Sequence, residues 1–120
     1  MIRTRFPHHR LDAYRLSLEL FRDVEVSAAS IPAGHADLKD QLRRAMGSVV
    51  RNIAEGASRH HAKDKATRFR IARAECAEAA ATIEMAGVVG LIGAPSCEQM
   101  ILRADRVAAM LTGLIARQLE

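Results

Sequence analysis

Tryptophan is absent, tyrosine occurs once and phenylalanine three times in 120 residues, so flat rings supply almost none of the apolar content. Tyr14, Phe21 and Phe69 fall on candidate core positions. That excludes a single-strand-binding surface built from several stacking aromatics, and leaves phosphate as the only plausible nucleic-acid contact, with little sequence preference. Proline is limited to three residues, which leaves long stretches free to be helical. No run approaches the eighteen or so apolar residues of a membrane span, and "MIRTRFPHHR" has no apolar segment of the kind a signal peptide needs. A cytoplasmic protein with no membrane role is expected. Cys76 and Cys97 are the two cysteines. Cys76 lies about fourteen helical residues, roughly 20 Å of axis, before the turn that leads to Cys97, so two reduced thiols are expected.

What remains is rich in alanine, leucine and arginine, with 49% hydrophobic residues that are mostly small or aliphatic. This composition favours helix and one hydrophobic core, predicting a single all-α domain over residues 1–120 with a short basic arm at about 1–10. The formal charge is +4. It is unevenly placed: between Lys39 and Arg73 there are ten Lys or Arg against Asp40, Glu55 and Asp64. Such a block suits either a polyanion or a solvated helix face.

Apolar periodicity predicts four helices. The first runs over about 11–30, with Leu11, Tyr14, Leu18, Phe21 and Ala28 inward and Pro32-Ala33-Gly34 as its stop. The second begins near Asp37, repeats Leu38, Leu42, Ala45, Val49 and Ile53, and meets a stop signal at Gly56. The third starts near Lys63 or Asp64, carries Phe69, Ala72, Cys76, Ala79, Ile83 and Ala86, and closes at Gly93 and Pro95. Ser96 is placed to cap the fourth, whose inward stripe is Ile101, Ala104, Ala108, Leu111 and Ile115. Short connections between long helices predict an antiparallel up-down-up-down four-helix bundle. In that topology Arg3, Arg5, Arg10, Arg59, Lys63, Lys65, Arg68 and Arg117 gather at one end with His8, His9, His60 and His61.

Helices 2 and 3 each carry a second apolar stripe. On helix 2 it is Gly47, Val50, Ala54 and Ala57, flanked by Arg43, Arg44 and Arg51; on helix 3 it is Ala74, Ala77, Ala81, Met85, Val88 and Ile92. A helix apolar on two sides is buried on two sides, so these faces predict homo-oligomerisation or, at Gly47, Val50 and Ala54, an unusually close helix crossing. Between the faces of helix 2 runs a polar seam of Gln41, Ser48, Asn52 and Glu55. A structural role is expected for it: Asn52 bonding a neighbouring helix, Glu55 pairing with Arg51 or a cation of helix 3.

No chemistry-bearing constellation stands out. The pairs His8-His9 and His60-His61 lack the i, i+4 spacing that sets two ligands on one helix face, so no metal is expected. "GVVGLIG" follows no strand and is a helix end, not a phosphate loop. Neither thiol has a histidine in helical register. No catalytic residue and no cofactor are expected.

The stretch "QLRRAMGSVVRNIAEG" resembles the four-helix-bundle family first associated with intervening sequences of bacterial 23S ribosomal RNA genes. The likeness rests on Gln41 to Ala45, Ser48, Asn52 to Gly56 and Arg59, and extends to Leu11–Leu20, to Pro32 and to "RFRIARAECAE" at Arg68–Glu78. It fades in helix 4. Ala74-Glu75 stands where the family often has Gly-Ser, and Tyr14 where tryptophan is common. The resemblance implies a cytoplasmic helical bundle, a ring-shaped homopentamer in related structures, with no established enzyme activity. A distant branch assists a reverse transcriptase by binding it and nucleic acid; the "NIAEG" pattern is not of that branch. The expectation is a non-enzymatic homo-oligomer, pentameric by resemblance, whose basic end (Arg3, Arg5, Arg10, Arg59, Lys63, Lys65, Arg68) meets RNA, DNA or a nucleic-acid-processing protein. Its interface would involve Arg43, Arg44, Gly47, Val50, Arg51, Ala54, Ala77, Ala81 and Met85. The alternative is a protein-interaction scaffold with no nucleic-acid role.

Overall fold

With proline confined to helix boundaries, the chain between them is free to wind, and a computed structural model describes residues 5–120 as four α-helices with no strand among them. They are α1 (Asp12–Ala29), α2 (Ala36–Ser58), α3 (Ala62–Val88) and α4 (Ala94–Gln118). Short 3-10 turns precede α1 at Pro7–Arg10 and α2 at Ala33–His35. α3 has 27 residues. At 1.5 Å per residue that is about 40 Å, nearly the molecule's 44 Å long axis. α2 packs most extensively on α3, and α3 on α4. α1 touches α2 and α4.

Cross-helix contacts fix how the ends meet. Ser27 Oγ, late in α1, lies 3.8 Å from Met100 Sδ, early in α4. Arg103 pairs with Asp23, and Arg43 Nε lies 3.2 Å from Glu25 Oε2. Arg10, Leu11 and Ala13 at the start of α1 share a groove with Met110, Leu114 and Arg117 at the end of α4.

The core stripes of α2 and α3 lie where their periodicity places them: Leu42, Ala45, Val49, Ile53, Phe69, Ala72, Cys76, Ala79, Ile83 and Ala86 are all buried. Leu38 is half-buried at the edge. The phase of α1 differs from expectation. Its buried residues are Ala13, Ser17, Leu20, Val24 and Ala28, whereas Leu11, Tyr14, Leu18 and Phe21 are half-buried. Leu20 and Val24 fill the centre of the buried line, small residues occupy the rest of it, and Leu11, Tyr14, Leu18 and Phe21 flank it, a phase that apolarity alone does not reveal. Ser17 is fully buried because its hydroxyl donates to the Tyr14 carbonyl at 2.6 Å, which removes the cost of an unpaired polar group. Likewise α4 turns Met100 and Val107 inward alongside Ala104, Leu111 and Ile115, leaving Ile101 and Ala108 half-buried. Met46, not anticipated, is fully buried.

Three boundaries also differ. Gly56 does not stop α2, which continues to Ser58. Gly56 serves close packing instead: a Cβ there would lie 2.6 Å from Phe69 Cε1. α3 ends earlier than expected, at Val88, because Gly90 takes φ +77°, a conformation that costs other residues about 1 kcal/mol or more. Leu91 N–H donates to the Ala86 carbonyl at 2.8 Å and Gly90 N–H to Gly87 at 3.1 Å, the paired bonds of a Schellman stop. Ile92, assigned to the outer stripe of α3, lies beyond that stop and is buried in the core. Gly93 rather than Ser96 precedes the first turn of α4, with no side-chain cap; Pro95 fits there because the first turn has no partner for its missing N–H.

These glycine environments predict opposite outcomes. Gly56→Ala should destabilise, because overpacking against Phe69 of about 1–3 kcal/mol outweighs a helix-propensity gain of about 1 kcal/mol. Gly113→Ala, where nothing lies within 4 Å of a built Cβ, should stabilise by roughly that propensity gain. Denaturant unfolding followed by circular dichroism measures both; a stabilising Gly56→Ala would contradict the packing.

Candidate functional site

The turn between α2 and α3 is three residues long, Arg59 to His61, and it brings the densest basic sequence to one end of the molecule. Most of those cations are engaged within the chain. Glu55 Oε2 lies 3.7 Å from Arg59 Nη2 and 3.3 Å from Arg68 Nη1, so one carboxylate bridges the last turn of α2 and the second turn of α3. Lys65 Nζ donates to the carbonyls of Ala57 at 2.8 Å and Gly56 at 3.3 Å. A cation on these terminal carbonyls satisfies orphan acceptors and complements the negative end of the helix dipole. Lys63 is exposed and makes no ion pair among the described residues. Arg10 and Arg117 flank a groove of about 360 Å³ floored by Leu11, Ala13, Met110 and Leu114. Arg5 is exposed, and Arg3 lies outside the described residues.

Two side chains of the polar seam make identifiable pairings. Asn52 is buried, but its Nδ2 donates within its own helix, to the Ser48 carbonyl at 2.9 Å and Ser48 Oγ at 3.0 Å, rather than to a neighbour. The i, i−4 separation lets the amide fold back before it can reach across. Glu55 pairs with Arg68, a cation of α3, as one of its two expected partnerships, and with Arg59, not with Arg51. Gln41 is exposed at the far end, in a hollow it shares with Asp37, Leu38 and Met85.

The two outer stripes have different surroundings. On α2, the nearest atoms to a Cβ built at Gly47 belong to Arg51, whose Nη1 would lie 2.9 Å away. Val50 is half-buried against the core, and Ala54 lines a groove with Glu55, Ser58 and the chain's own Phe6, Pro7 and His8. Arg43 is half-buried beside Glu25 of α1, and Arg44 is exposed. On α3, Ala74, Ala77, Ala81, Met85 and Val88 are exposed opposite the core, with Met85 at 56% and Val88 at 87%. Leu102 and Val89 add further exposed apolar surface.

A cluster that the periodicity does not indicate lies in the N-terminal arm. The rings of His8 and His9 do not diverge; their centroids are 4.5 Å apart, because the tight 3-10 turn brings them together. Phe6 stacks on His8 at 5.7 Å, and Tyr14 meets His8 edge-on at 4.4 Å. Desolvation, then the neighbouring His9, pushes the His8 pKa below its ordinary value. The thiols sit elsewhere: Cys76, buried beside the Ala104 carbonyl at 3.3 Å, is pushed up to about 11 by desolvation, and the half-buried Cys97 is also raised by burial. Groups so hard to ionise are poor nucleophiles at neutral pH. No set of three or more His, Cys, Asp or Glu positioned to hold a metal occurs among the described residues.

With this geometry in view, a scan against protein families matches residues 9–113 to the family described as 23S rRNA-intervening sequence protein. The chain belongs to that family. A search of the curated proteins finds no match. The matched span holds the whole polar seam, the Glu55 bridge and the exposed α3 face, and begins inside the aromatic arm at His9. No helix is long and apolar enough to cross a membrane among the described residues.

The bridge predicts that Glu55→Gln costs no more than about 1 kcal/mol of stability, since the paired groups are about half exposed and screened by solvent. It also releases Arg59 and Arg68. Chemical unfolding at low and high salt checks this: the difference between wild type and variant should shrink as salt rises, and a salt-independent loss of several kcal/mol would contradict a surface bridge.

Proposed function

We propose that the protein is a non-enzymatic homo-oligomer, an antiparallel up-down-up-down bundle whose basic end contacts RNA or DNA weakly and without sequence preference. The pairing of early α1 with late α4, and of late α1 with early α4, supports the topology. The observation that carries the assembly is the α3 face of Ala74, Ala77, Ala81, Met85 and Val88, which lies opposite the core in open solvent. Small residues along a helix let another backbone come close, and Met85 and Val88 supply burial of about 25 cal/mol per Å² of apolar area covered. A pentameric ring in the cytoplasm is the form that the family resemblance favours. In a cyclic assembly each basic end is repeated by symmetry, so a few open cations per subunit become a charged rim.

Among the described residues, the open cations of the basic end are Arg5, Arg10, Lys63 and Arg117, because Arg59, Arg68 and Lys65 already have partners in the chain. The nucleic-acid contact is therefore modest per subunit. The same internal pairing favours the second reading, a scaffold that binds only proteins.

Gel filtration with light scattering tests the assembly: wild type should elute as an oligomer at micromolar concentration, and Ala77→Arg with Ala81→Glu should give a monomer of unchanged helicity. A monomeric wild type would overturn the assembly reading. For nucleic acid, mixed-sequence RNA should bind at about 50 mM salt and weaken with a log–log salt slope of roughly 0.7 to 0.9 per phosphate neutralised. Arg10→Gln with Lys63→Gln should flatten that slope, whereas Glu55→Gln should steepen it. No salt-sensitive binding would leave the scaffold reading in place.

A further inference from the structure

The arm before α1 is held by contacts that require uncharged imidazole. His9 Nδ1 accepts two backbone N–H groups, from Arg5 at 3.0 Å and Phe6 at 3.2 Å, so it closes the 3-10 turn as a side-chain acceptor. A protonated imidazole carries hydrogen on both nitrogens and accepts nothing, so protonation of His9 removes both bonds at once. His8 is held between two rings: Phe6 is stacked on it with an interplanar angle of 12°, and Tyr14 of α1 meets it edge-on. Its side chain, with Phe6 and Pro7, closes one side of a groove of about 240 Å³ whose other wall is Ala54, Glu55 and Ser58 of α2.

We propose that residues 5–10 form an acid-released strap, closed over the Ala54–Ser58 face of α2 while His8 and His9 are neutral and detached when they are protonated.

Cations outnumber unengaged carboxylates around His8. Arg5 and Arg10 lie on the strap itself, and Arg15 of α1 donates through Nη1 to the His9 carbonyl at 3.1 Å. The carboxylates at hand are engaged elsewhere: Asp12 pairs with Arg15, and Glu55 is shared by Arg59 and Arg68. A proton added to this site meets cations without an unoccupied anion to balance it. Desolvation, then the neighbouring His9, separately holds the His8 pKa below its ordinary value. A base whose folded pKa is lowered contributes stability that is complete above the unfolded value of 6.5 and is lost as pH falls below it toward the folded value. The strap therefore closes at neutral pH and opens in mild acid, the range in which histidine is the usual switch. Opening uncovers Ala54, one of the small residues on the outer stripe of α2, without disturbing the four-helix core, because no residue of the strap belongs to the buried core.

Tyr14 is the only tyrosine and there is no tryptophan, so intrinsic fluorescence reports this site alone. The test is a titration of the full chain from about pH 7.5 to about pH 5, following Tyr14 emission and the hydrogen-exchange protection of the Phe6 amide, with far-ultraviolet circular dichroism as control. The expected result is a coupled change in both probes, with Phe6 protection falling at least about tenfold at constant helicity. In His9→Asn the amide oxygen replaces Nδ1 as an acceptor that does not titrate, and in His8→Phe the stack persists without charge. The double variant should stay closed across the range, and His9→Ala should be open even at neutral pH. Wild-type protection that is unchanged in acid, or a double variant that opens as wild type does, overturns the proposal.

Discussion

The packing of α2 on α3 is the contact on which the rest depends. It closes where Phe69 lies over Gly56, so tightly that a single methyl on that glycine would overlap the ring. Three polar arrangements converge on the same few residues. Lys65 of α3 reaches the last carbonyls of α2, Glu55 of α2 holds Arg68 of α3, and Ser58 Oγ donates to the Glu55 carbonyl at 3.0 Å. Each is modest alone, but together they set the three-residue turn and with it the register of two helices along nearly the whole long axis. The core from Leu42 to Ile53 on one side and from Phe69 to Ala86 on the other follows from that register.

That geometry also changes what the basic sequence means. Ten Lys or Arg against three acids, counted along the chain from Lys39 to Arg73, suggest a strongly positive surface. In space, two of those arginines share one glutamate, one lysine caps a helix, and Arg43 sits beside Glu25. Charge asymmetry along a sequence overstates charge available to a partner, because cations of the block are taken up by Glu55 within it, by Glu25 of α1 and by the terminal carbonyls of α2. The exposed α3 face is the opposite case. Among the described residues Ala81, Met85 and Val88 stay exposed, and desolvating that face would be favourable for any copy that fits it.

The N-terminal arm shows why the outer stripe of α2 reads ambiguously. Small residues at 47, 50, 54 and 57 indicate that something lies against them, and something does: the Arg51 side chain over Gly47, and Phe6, Pro7 and His8 beside Ala54. Periodicity detects a covered face without identifying its cover. A six-residue segment with two histidines and a proline has no period to read, and its ring cluster depends on a 3-10 turn and on Tyr14 of α1 arriving at the same place.

The sequence by itself determined that the chain is all-α, that four helices form between the Pro-Gly and glycine-rich breaks, and most of the side chains with which α2 and α3 make the core, Met46 and Ala66 excepted. These follow from short-range properties: propensity, spacing and stop signals act within a few turns. The motif from Gln41 to Gly56 was enough to indicate the family. Tertiary structure decided the rest. It rotated α1 so that Ala13 and Ser17 face inward, made Gly56 a packing contact rather than a stop, turned Asn52 back on Ser48, and paired Arg43, Arg59 and Arg68 with glutamates 4 to 18 positions away. Such outcomes depend on which surfaces meet and how closely. No single helix carries that information, because a hydrogen bond, an ion pair or a ring contact is settled by the distance between two elements and not by the sequence of either.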